Sequence, residues 1–462
     1  MKVVLINPYE IGRQPFGLAQ PAAWLGAAGC DVHCLDLSIQ RLDGELLADA
    51  ALVALYVPMH TATRIAVEAI PRIKQLAPGA SLCVFGLYAP MNADLFRSMG
   101  VASILGGEVE PGMLALIEQL RSGGEIAATG PAVCLDKITF IKPDRSGLPP
   151  LTSYASLVLP DGTHKVVGFA ETTRGCKYLC RHCPVAPVYK GVFRVIPEHI
   201  VLDDIRTQIA QGAEHISFGD PDFFNGPGHA LKIVRALHAE FPHITYDATI
   251  KVEHIVKYPD EIRELGETGC LFIISAVESV DDAVLEYLDK GHTRADFISA
   301  LAFLRDIDIA FSPTFVAFTP WTTLESYLDL LHHIVDLDLI GNVAPVQFSI
   351  RLLIPQGSFI LDLDHLTGVI SGFDQLTLGY RWENPDPEVD ALQQAIQSWV
   401  MEAEEKGMSR REIFNGVWTR AHQHAGKQAP DLPRYEQDTS IPRLSENWYC
   451  CAEPTSQQLR SF

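Results

Sequence analysis

Short apolar runs alternate with amphipathic stretches along the N-terminal part of the chain. Buried strands are predicted at 3–8, 32–37, 52–57, 82–85 and 102–105. The stretches between them show helical spacing, which is clearest over 62–76. Strands that alternate with helices form parallel, doubly wound sheets, and ligands bind beyond the carboxyl ends of their strands. Residues 1–125 are therefore predicted to form a Rossmann-like α/β domain.

A second alternation of strands and helices begins after residue 165. Strand patterns lie at 166–173, 215–219, 244–250, 270–277, 310–318 and 343–353. Six βα units predict a partial (β/α)6 barrel over 166–365, with its chemistry at the carboxyl rim of the strands. Residues 126–165 show little periodicity and are predicted to be a linker. Only helical patterns, at 387–406 and 410–421, follow the barrel, so 366–462 is predicted to be a helical C-terminal region.

Three cysteines follow the first strand of the predicted barrel in the spacing CxxxCxxC: Cys176, Cys180 and Cys183. Thiolates bind iron, and three of them can hold three corners of a [4Fe–4S] cluster while one iron stays free for a small molecule. The alternatives are a zinc site that uses His182, or thiols that are only buried. A zinc site needs a second pair of ligands at finger-like spacing, and none follows in the sequence.

This cysteine spacing, placed directly after a barrel strand, resembles the signature of the radical S-adenosylmethionine (SAM) enzymes. The resemblance implies that the free iron binds SAM and that an electron from the cluster splits a carbon–sulfur bond of SAM. It also implies a reductant as partner, such as a flavodoxin or a ferredoxin. His182 stands where the family usually has a flat aromatic residue, and an imidazole can also lie against the adenine.

Further segments resemble the SAM-binding parts of that family. The segment after the second barrel strand implies that Asp220 or Asp222 accepts from the SAM amino group. Glu278 and Ser279, after the fourth strand, resemble the segment near the ribose, and Arg351 on the last strand is the candidate partner of the SAM carboxylate. For the two aspartates, the alternative is loop solvation and helix capping.

Parts of residues 1–125 resemble the cobalamin-binding-type domain that precedes many radical SAM barrels. These parts include Ile6-Asn7-Pro8 at the first strand and Gly106-Gly107-Glu108-Val109-Glu110 near the end of the domain. The DxHxxG loop that supplies a histidine to cobalt is missing, because the nearest string, at 31–36, lacks the glycine and lies in a predicted strand. Cobalamin is therefore a candidate cofactor without a histidine below the cobalt. The alternative is a retained scaffold that shapes the mouth of the active site.

The C-terminal tail reads Cys450-Cys451-Ala452-Glu453-Pro454. Adjacent thiols can hold trivalent arsenic or another thiophile at two points, or can cycle through a vicinal disulfide. Together with the barrel, this tail resembles that of the CUAEP/CCAEP-tail radical SAM proteins over essentially the whole chain. The alternatives are an inert chain end, and a tail thiolate that closes the open iron in a resting state.

Charge and composition limit the classes of partner and the location that are expected for this 462-residue chain. Its net charge of −21 argues against a nucleic acid or an anionic membrane surface as partner. The first apolar run is too short for a signal peptide, and no stretch is long enough to span a bilayer. Ten cysteines in a chain of this size do not suggest a disulfide scaffold. Because the predicted cluster is oxygen-sensitive, we expect the reducing cytoplasm as its location.

Taken together, the residues and the resemblances predict a radical SAM transferase that acts on a small-molecule substrate. The preferred reaction moves a SAM-derived carbon group, such as 3-amino-3-carboxypropyl, to a soft heteroatom. That heteroatom would be a thiophilic metalloid such as arsenic, held by Cys450 and Cys451, which makes these two residues candidate catalytic groups. The alternatives are a cobalamin-dependent radical methyltransferase that acts on a small natural product, and a non-catalytic metalloid or redox sensor.

Overall fold

The computed structural model describes residues 1–123, 132–433, 440–446, 454 and 458–460. Cys450 and Cys451 lie outside these residues, so their predicted role stays a prediction. The described residues form two α/β units and a C-terminal region that packs against the second unit.

The N-terminal unit is a six-stranded, fully parallel sheet in the order β2-β1-β3-β4-β5-β6. Its strands are β1 (Lys2–Asn7), β2 (Asp31–Asp36), β3 (Leu52–Tyr56), β4 (Ser81–Phe85), β5 (Ser103–Gly107) and β6 (Ala132–Cys134). Its helices are α1 (Phe16–Ala27), α2 (Gly44–Ala48), α3 (His60–Leu76), α4 (Ala93–Ser98) and α5 (Glu110–Arg121). The predicted Rossmann-like domain is confirmed.

Helices cover both faces of this sheet, and the interior strand β1 shows why, because its side chains are apolar on both faces. Val3 and Leu5 of β1 pack with residues of α1 and α5, while Val4 and Ile6 pack with residues of α3. All four side chains are completely buried. Each such burial contributes about 1.5–3 kcal/mol, so this strand holds together the two layers that flank it.

The second unit is a partial barrel whose parallel strands follow the order β14-β13-β12-β11-β8, with β7 antiparallel beside β8. Its strands are β7 (Ser156–Val158), β8 (His164–Ala170), β9 (Thr173–Gly175), β10 (Phe193–Val195), β11 (His215–Phe218), β12 (Thr245–Thr249), β13 (Cys270–Glu278) and β14 (Ala310–Phe315). Its helices are α6 (Val185–Tyr189), α7 (Glu198–Ala210), α8 (Pro227–Glu240), α9 (Val252–Lys257), α10 (Pro259–Glu267), α11 (Asp282–Tyr287), α12 (Arg294–Asp306) and α13 (Leu324–Asp336). The predicted fold class is confirmed.

The sixth barrel strand, predicted at 343–353, is not formed as a strand. Residues 345–348 form a 3-10 helix instead, and a single parallel bridge joins Phe318 to Arg351. Pro345 favours this helical turn, because a proline at the first helical position loses no hydrogen bond and its fixed φ suits a helix. The barrel therefore keeps five parallel strands that pair with one another.

The predicted linker and the predicted helical C-terminal region both contain strands. Within 126–165, β6 extends the first sheet and β7 joins the second. The last elements are β15 (Ile370–Asp374), β16 (Gly379–Trp382), α14 (Pro387–Glu405), α15 (Arg410–His424) and β17 (Arg443–Leu444), which pairs with β7. These extra strands are two to five residues long, too short to give a clear hydrophobic period. None of the described helices is both long enough and apolar enough to cross a lipid bilayer.

Candidate functional site

The two α/β units meet at a cavity of about 450 Å³. Residues that follow strands of the first sheet line one side, among them Glu10, Met59, Gly86 and Glu110. Residues at the carboxyl ends of barrel strands line the other side, among them Glu171, Asp220 and Glu278. Parallel sheets bind ligands beyond these strand ends, and here both sheets direct them to one space. The volume lies in the range that holds cofactor-sized molecules.

The cysteine loop is closed at its base by a two-stranded antiparallel ribbon. Pairing of β9 with β10 makes residues 176–192 one compact excursion from the barrel rim. Gly175, directly before the first cysteine, has φ of 75°, and a Cβ at this position would lie 2.4 Å from the ring of Tyr189. Only glycine fits there, since it alone takes this φ without strain and has no side chain to clash.

Hydrogen bonds to the barrel fix both halves of the loop. The Asn225 side chain donates to the carbonyl of Gly175 at 3.1 Å and accepts from the N–H of Lys177 at 3.2 Å. Further along, the hydroxyl of Ser358 donates to the carbonyl of Arg181 at 2.9 Å. The loop that carries the cysteines is thus positioned by the protein's own contacts.

The three predicted cluster ligands lie together on this loop, and none of them is in a disulfide. Burial is the main reason that the pKa of Cys176 is raised to about 11 and that of Cys183 to about 12, and Cys180 raises both further. Within the described part of the chain, no three His, Cys, Asp or Glu side chains converge on one ion position. A [4Fe–4S] cluster does not need such a position, because each thiolate binds a different iron. The three neighbouring thiols can therefore each bind one iron of a cluster.

Arg174 connects the cysteine loop to the N-terminal domain. Its Nη1 lies 2.9 Å from Oε2 of Glu108, and its Nη2 lies 2.8 Å from Oε1 of Glu110. Both carboxylates are completely buried and follow β5. Burial raises the pKa of Glu108, and the charge of Arg174 opposes that shift. The two glutamates belong to a segment that the sequence analysis used only as a resemblance, so this contact was missed.

Glu278 stands at the carboxyl end of β13, where a register shift against β14 turns its side chain toward the cavity. Its φ of 67° is strained for a residue with a side chain. One carboxylate oxygen lies 3.1 Å from Nε2 of His182 and 3.2 Å from Nζ of Lys290. Burial alone would raise the pKa of Glu278, but Lys290 and His182 outweigh it and lower the pKa to about 2. Glu278 is therefore an ionised acceptor on the cavity wall.

The two predicted aspartates differ in their access to the cavity. Asp220 lines it, but its oxygens accept from the N–H and hydroxyl of Thr172, at 3.0 and 2.8 Å, and from the hydroxyl of Thr173, at 2.6 Å. Burial raises the pKa of Asp220 to about 6, and these hydrogen bonds oppose the shift. Asp222 does not line the cavity; it lies 3.0 Å from Nδ1 of His254 and accepts from the N–H of Phe224. In this structure both aspartates hold neighbouring backbone, and their contact with SAM stays a prediction.

Arg351 and Ser279 also have protein partners. Arg351 lines the cavity, with Nη1 2.5 Å from Oδ1 of Asp390 and its guanidinium carbon 3.6 Å from the centre of the Trp382 ring. Ser279 lies outside the cavity wall, and its hydroxyl accepts from the N–H of Asp281 at 3.0 Å. Their assignment as SAM contacts is not tested by these distances.

Two buried carboxyl groups of the cavity wall were not predicted from the sequence. Glu10 follows β1 and is 6% exposed, and its Oε2 has no hydrogen-bond partner among the described residues. Glu171 follows β8 and lies 3.7 Å from Nε of Arg174. Burial raises the pKa of Glu171 to about 8 despite that arginine. Each is a single glutamate after a strand, a pattern that carries no functional signal in the sequence.

The family model described as the Radical SAM superfamily matches residues 170–332. A curated relative, the tRNA-2-methylthio-N(6)-dimethylallyladenosine synthase of Desulfosudis oleivorans, is 26% identical over 204 residues, which make up 42% of this chain and 43% of that protein. The chain thus spans less than half the length of this relative.

Two solved structures show the same arrangement of domains. The cobalamin-dependent SAM radical enzyme OxsB, with aqua-cobalamin bound, has a TM-score of 0.66 and 17% identity, covering 87% of this chain and 67% of that chain. The radical SAM methyltransferase TsrM from Kitasatospora setae, with tryptophan substrate and a SAM analogue bound, has a TM-score of 0.65 and 16% identity, covering 92% of this chain and 96% of that chain. At these identities the likeness establishes the fold alone.

The match to the family model runs from the end of β8 into α13 and includes the whole cysteine loop. Domains of this family use a [4Fe–4S] cluster and SAM, and they need a reductant and a small-molecule substrate. The loop geometry and the family match agree on the same residues. Residues 170–332 therefore form a radical SAM enzyme domain, joined in this chain to an N-terminal Rossmann-like domain.

Proposed function

We propose that this protein cleaves SAM reductively at a [4Fe–4S] cluster held by Cys176, Cys180 and Cys183, and transfers a SAM-derived carbon group to a soft heteroatom. One observation carries the first half of the proposal. The three cysteines lie on a loop fixed at the barrel rim, beside a cavity whose wall presents an ionised acceptor. When bound, the cluster supplies the electron that splits a carbon–sulfur bond of SAM.

The residues around the cavity suit the parts of SAM. Glu278 is ionised and can accept from the ribose hydroxyls, while the ring of His182, which also lines the cavity, can lie against the adenine. Asp220 positions Thr172 and Thr173, which precede the cysteine loop. Asp222 does not line the cavity and supports residues behind its wall. Arg351 can meet the SAM carboxylate only where it exchanges part of its contact with Asp390.

The second half of the proposal concerns the acceptor, and here the protein is assigned to the CUAEP/CCAEP-tail radical SAM proteins. The transferred group is 3-amino-3-carboxypropyl and the acceptor is a thiophilic metalloid such as arsenic, gripped by Cys450 and Cys451. Adjacent thiols form a soft two-point ligand for such an atom. The protein is expected in the reducing cytoplasm, where these thiols and the cluster persist.

Described residues on either side of the dithiol support this role. Glu446 accepts from the hydroxyl of Tyr9 at 2.7 Å, and Leu459 packs against the apolar cluster formed by Tyr9, Ile11, Ala62 and Ile65. Tyr9 adjoins Glu10, and both Glu10 and Ile11 line the cavity. Glu446 precedes Cys450 by four residues, and four residues of extended chain reach about 14 Å. A described residue four positions before Cys450 thus contacts the neighbour of Glu10, which lines the cavity.

A second candidate is a cobalamin-dependent radical methyltransferase of a small natural product. It is favoured by the cavity at the carboxyl ends of β1, β3, β4 and β5, where doubly wound sheets bind their ligands. Among the described residues that line this cavity, His182 of the cysteine loop is the one histidine. The residues present therefore fit a corrinoid that lacks a histidine below its cobalt. When bound, cobalamin would supply the methyl-transfer chemistry.

The SAM fragment formed on reduction separates these functions. Transfer of 3-amino-3-carboxypropyl leaves methylthioadenosine, whereas methyl transfer leaves S-adenosylhomocysteine, and each can be measured by mass spectrometry with arsenite present. A sensor would form neither fragment catalytically. We expect methylthioadenosine in step with an arsenic–carbon product, and a lack of any SAM fragment would contradict the whole proposal.

The double variant Cys450→Ser/Cys451→Ser tests the acceptor. It should keep the cluster and uncoupled SAM cleavage but lose the product, because the cluster ligands lie on the barrel and the radical is then quenched without its acceptor. Cys30→Ser, which changes a partly buried thiol in the N-terminal domain, serves as the matched control. Full product formation by the double variant would contradict a substrate-binding tail. Loss of the cluster would instead favour a tail thiolate that ligates iron.

A further inference from the structure

The cysteine loop has an inner and an outer part. Residues 182–185 line the cavity, but none of residues 176–181 does. Leu179 lies in this outer part and is 44% exposed, although it directly precedes the buried Cys180. A large apolar side chain is thus exposed directly beside a predicted cluster ligand.

Positive charge is concentrated on the same segment. Residues 172–197 contain Arg174, Lys177, Arg181, Lys190 and Arg194 and no Asp or Glu, in a chain with 36 basic and 57 acidic residues. Arg174 is paired with buried glutamates. The other cations of the segment have no carboxylate partner among the described residues. The side chains of Lys177, Arg181 and Arg194 donate to backbone carbonyls, and that of Lys190 makes no hydrogen bond there.

Three arginines elsewhere in the protein are, in contrast, paired with carboxylates. Arg206, Arg235 and Arg294 each lie within 3.0 Å of a carboxylate oxygen. Such pairs cancel charge locally, whereas the cations of the cysteine loop keep theirs. The loop is thus a positive area on a strongly acidic molecule.

The apolar and cationic groups lie next to each other. A Cβ on Gly191 would lie 3.7 Å from Cδ2 of Leu179 and 3.6 Å from the carbonyl oxygen of Lys177, so the turn at Lys190–Gly191 contacts both residues. Lys177 and Arg181 are each two residues from Leu179. We call Lys177, Leu179, Arg181 and Lys190 the loop patch.

We propose that the loop patch is the docking surface for the reductant, a small acidic one-electron carrier protein. The inference rests on the proposed function, since a carrier is needed only where a cluster is reduced. One electron leaves the reduced carrier and enters the cluster, and no bond or proton changes partner in this step. The surface lies outside the cavity, so a carrier bound there leaves the space for SAM and substrate free.

Electrostatic attraction favours the binding of an acidic carrier at the loop patch. The net charge of −21 repels an acidic protein from most of the molecule, and the unpaired cations of the loop patch attract it. Such complementarity raises the association rate and orients the partners, and an apolar group at the centre adds contact area. Docking at Leu179 brings the carrier next to a residue adjacent to Cys180.

The test compares Lys190→Glu with Lys190→Arg and with Lys427→Glu, which makes the same charge change at an exposed lysine of the C-terminal region. Lys190 is exposed, so its replacement should not disturb folding. The dissociation constant of oxidised flavodoxin is measured with the full-length holoprotein at low and high salt. SAM cleavage is then driven either by reduced flavodoxin or by dithionite, which is too small to need a docking surface.

We expect Lys190→Glu to weaken flavodoxin binding about tenfold at low salt and to flatten its salt dependence, while Lys190→Arg and Lys427→Glu bind as the wild type. Dithionite-driven cleavage should stay unchanged in all variants. Unchanged flavodoxin binding by Lys190→Glu would overturn the proposal. If Lys190→Glu instead lost binding of tRNA and kept binding of flavodoxin, the loop patch would be assigned to a nucleic acid. Failure of wild-type protein to cleave SAM with dithionite would contradict the proposed function, and the binding measurement would still decide the docking surface.

Discussion

At the scale of single residues, the cavity wall holds carboxyl groups in opposite charge states. Lys290 and His182 overcome burial and lower the pKa of Glu278 to about 2, whereas burial raises the pKa of Glu171 to about 8. Near pH 7, Glu278 is ionised and most of Glu171 is protonated. One group is an acceptor for a bound molecule and the other is a donor, and both lie on the barrel side of the cavity.

The raised pKa of Glu171 has a consequence for stability. Between its unfolded value near 4.5 and its folded value near 8, the unfolded chain releases a proton that the folded protein keeps. Its contribution is therefore fully present below pH 4.5 and is lost as the pH rises to 8, by about 1.4 kcal/mol per pH unit for one proton. We expect Glu171→Gln to flatten the fall in unfolding temperature over this window.

The matched control for that experiment is Glu118→Gln, which changes an exposed carboxylate that is paired with Arg121. Unfolding temperatures of both variants and the wild type are measured by calorimetry from pH 4.5 to 8. The same slope in Glu171→Gln and the wild type would contradict a raised pKa at Glu171.

The sequence could predict those site residues that a local sequence pattern marks. Cys176, Cys180 and Cys183 could be predicted because their spacing marks them, and Glu278 because its segment resembles one of the radical SAM family. Glu10 and Glu171 carry no such mark, since their surroundings are built from segments far apart in the sequence. The sequence also could not predict that the Asp220 carboxylate accepts hydrogen bonds from Thr172 and Thr173. Such bonds between neighbouring strands depend on how the strands align in the folded protein.

At the scale of elements, the cysteine loop is held from two directions. The ribbon of β9 and β10 fixes its base on the barrel, and Arg174 fixes it to the segment after β5. Removing one partner of a buried ion pair costs about 3–5 kcal/mol, because the remaining charges stay desolvated. We therefore expect Arg174→Gln to lower the unfolding free energy by that amount and to reduce iron content after reconstitution.

Arg206→Gln serves as the control for Arg174, since it removes an arginine whose pairs with Asp203 and Glu240 are exposed. Exposed pairs contribute about 0–1 kcal/mol, so this variant should unfold and bind iron as the wild type does. Equal loss of stability in the two variants would contradict a larger contribution of the Arg174 ion pairs to the unfolding free energy.

Element prediction succeeded where periodic patterns are long and failed where they are short. Five of the six strands of the first sheet and the five parallel strands of the barrel were predicted, because each is an apolar run between helical patterns. Strands β6, β7, β9, β10 and β17 were missed because they have only two or three residues, and β15 and β16 were missed because polar residues and glycine interrupt their apolar pattern. The run at 343–353 is apolar enough for a strand, but residues 345–348 form a 3-10 helix whose first position is favoured by Pro345.

At the scale of the whole molecule, two parallel sheets present their carboxyl ends to one cavity. The sequence predicted both sheets but not that they face each other, since this depends on pairs such as Arg174–Glu110 that join distant segments. This arrangement is what allows a cofactor on the N-terminal domain and SAM on the barrel to share one space.

The ligand of cobalt in a bound corrinoid can be predicted from the cavity wall. If the protein binds a corrinoid, we expect a Co(II) electron-resonance signal without splitting from a histidine nitrogen, because the described cavity-lining residues of the N-terminal domain include no histidine. His33, the nearest sequence candidate, lies on edge strand β2 and is 3.3 Å from Asp31. A signal split by a protein nitrogen would contradict this expectation.

The central claim is that three cysteines of one loop hold a cluster that cleaves SAM. Its most direct test measures iron content and SAM fragments together in the reconstituted wild type and in Cys176→Ala, Cys180→Ala and Cys183→Ala, with Cys270→Ala as the control for a buried thiol elsewhere in the barrel. The wild type and the control should carry about four irons and release a SAM fragment on reduction, and the three loop variants should lose both. A loop variant that kept its cluster and its SAM cleavage would contradict the claim.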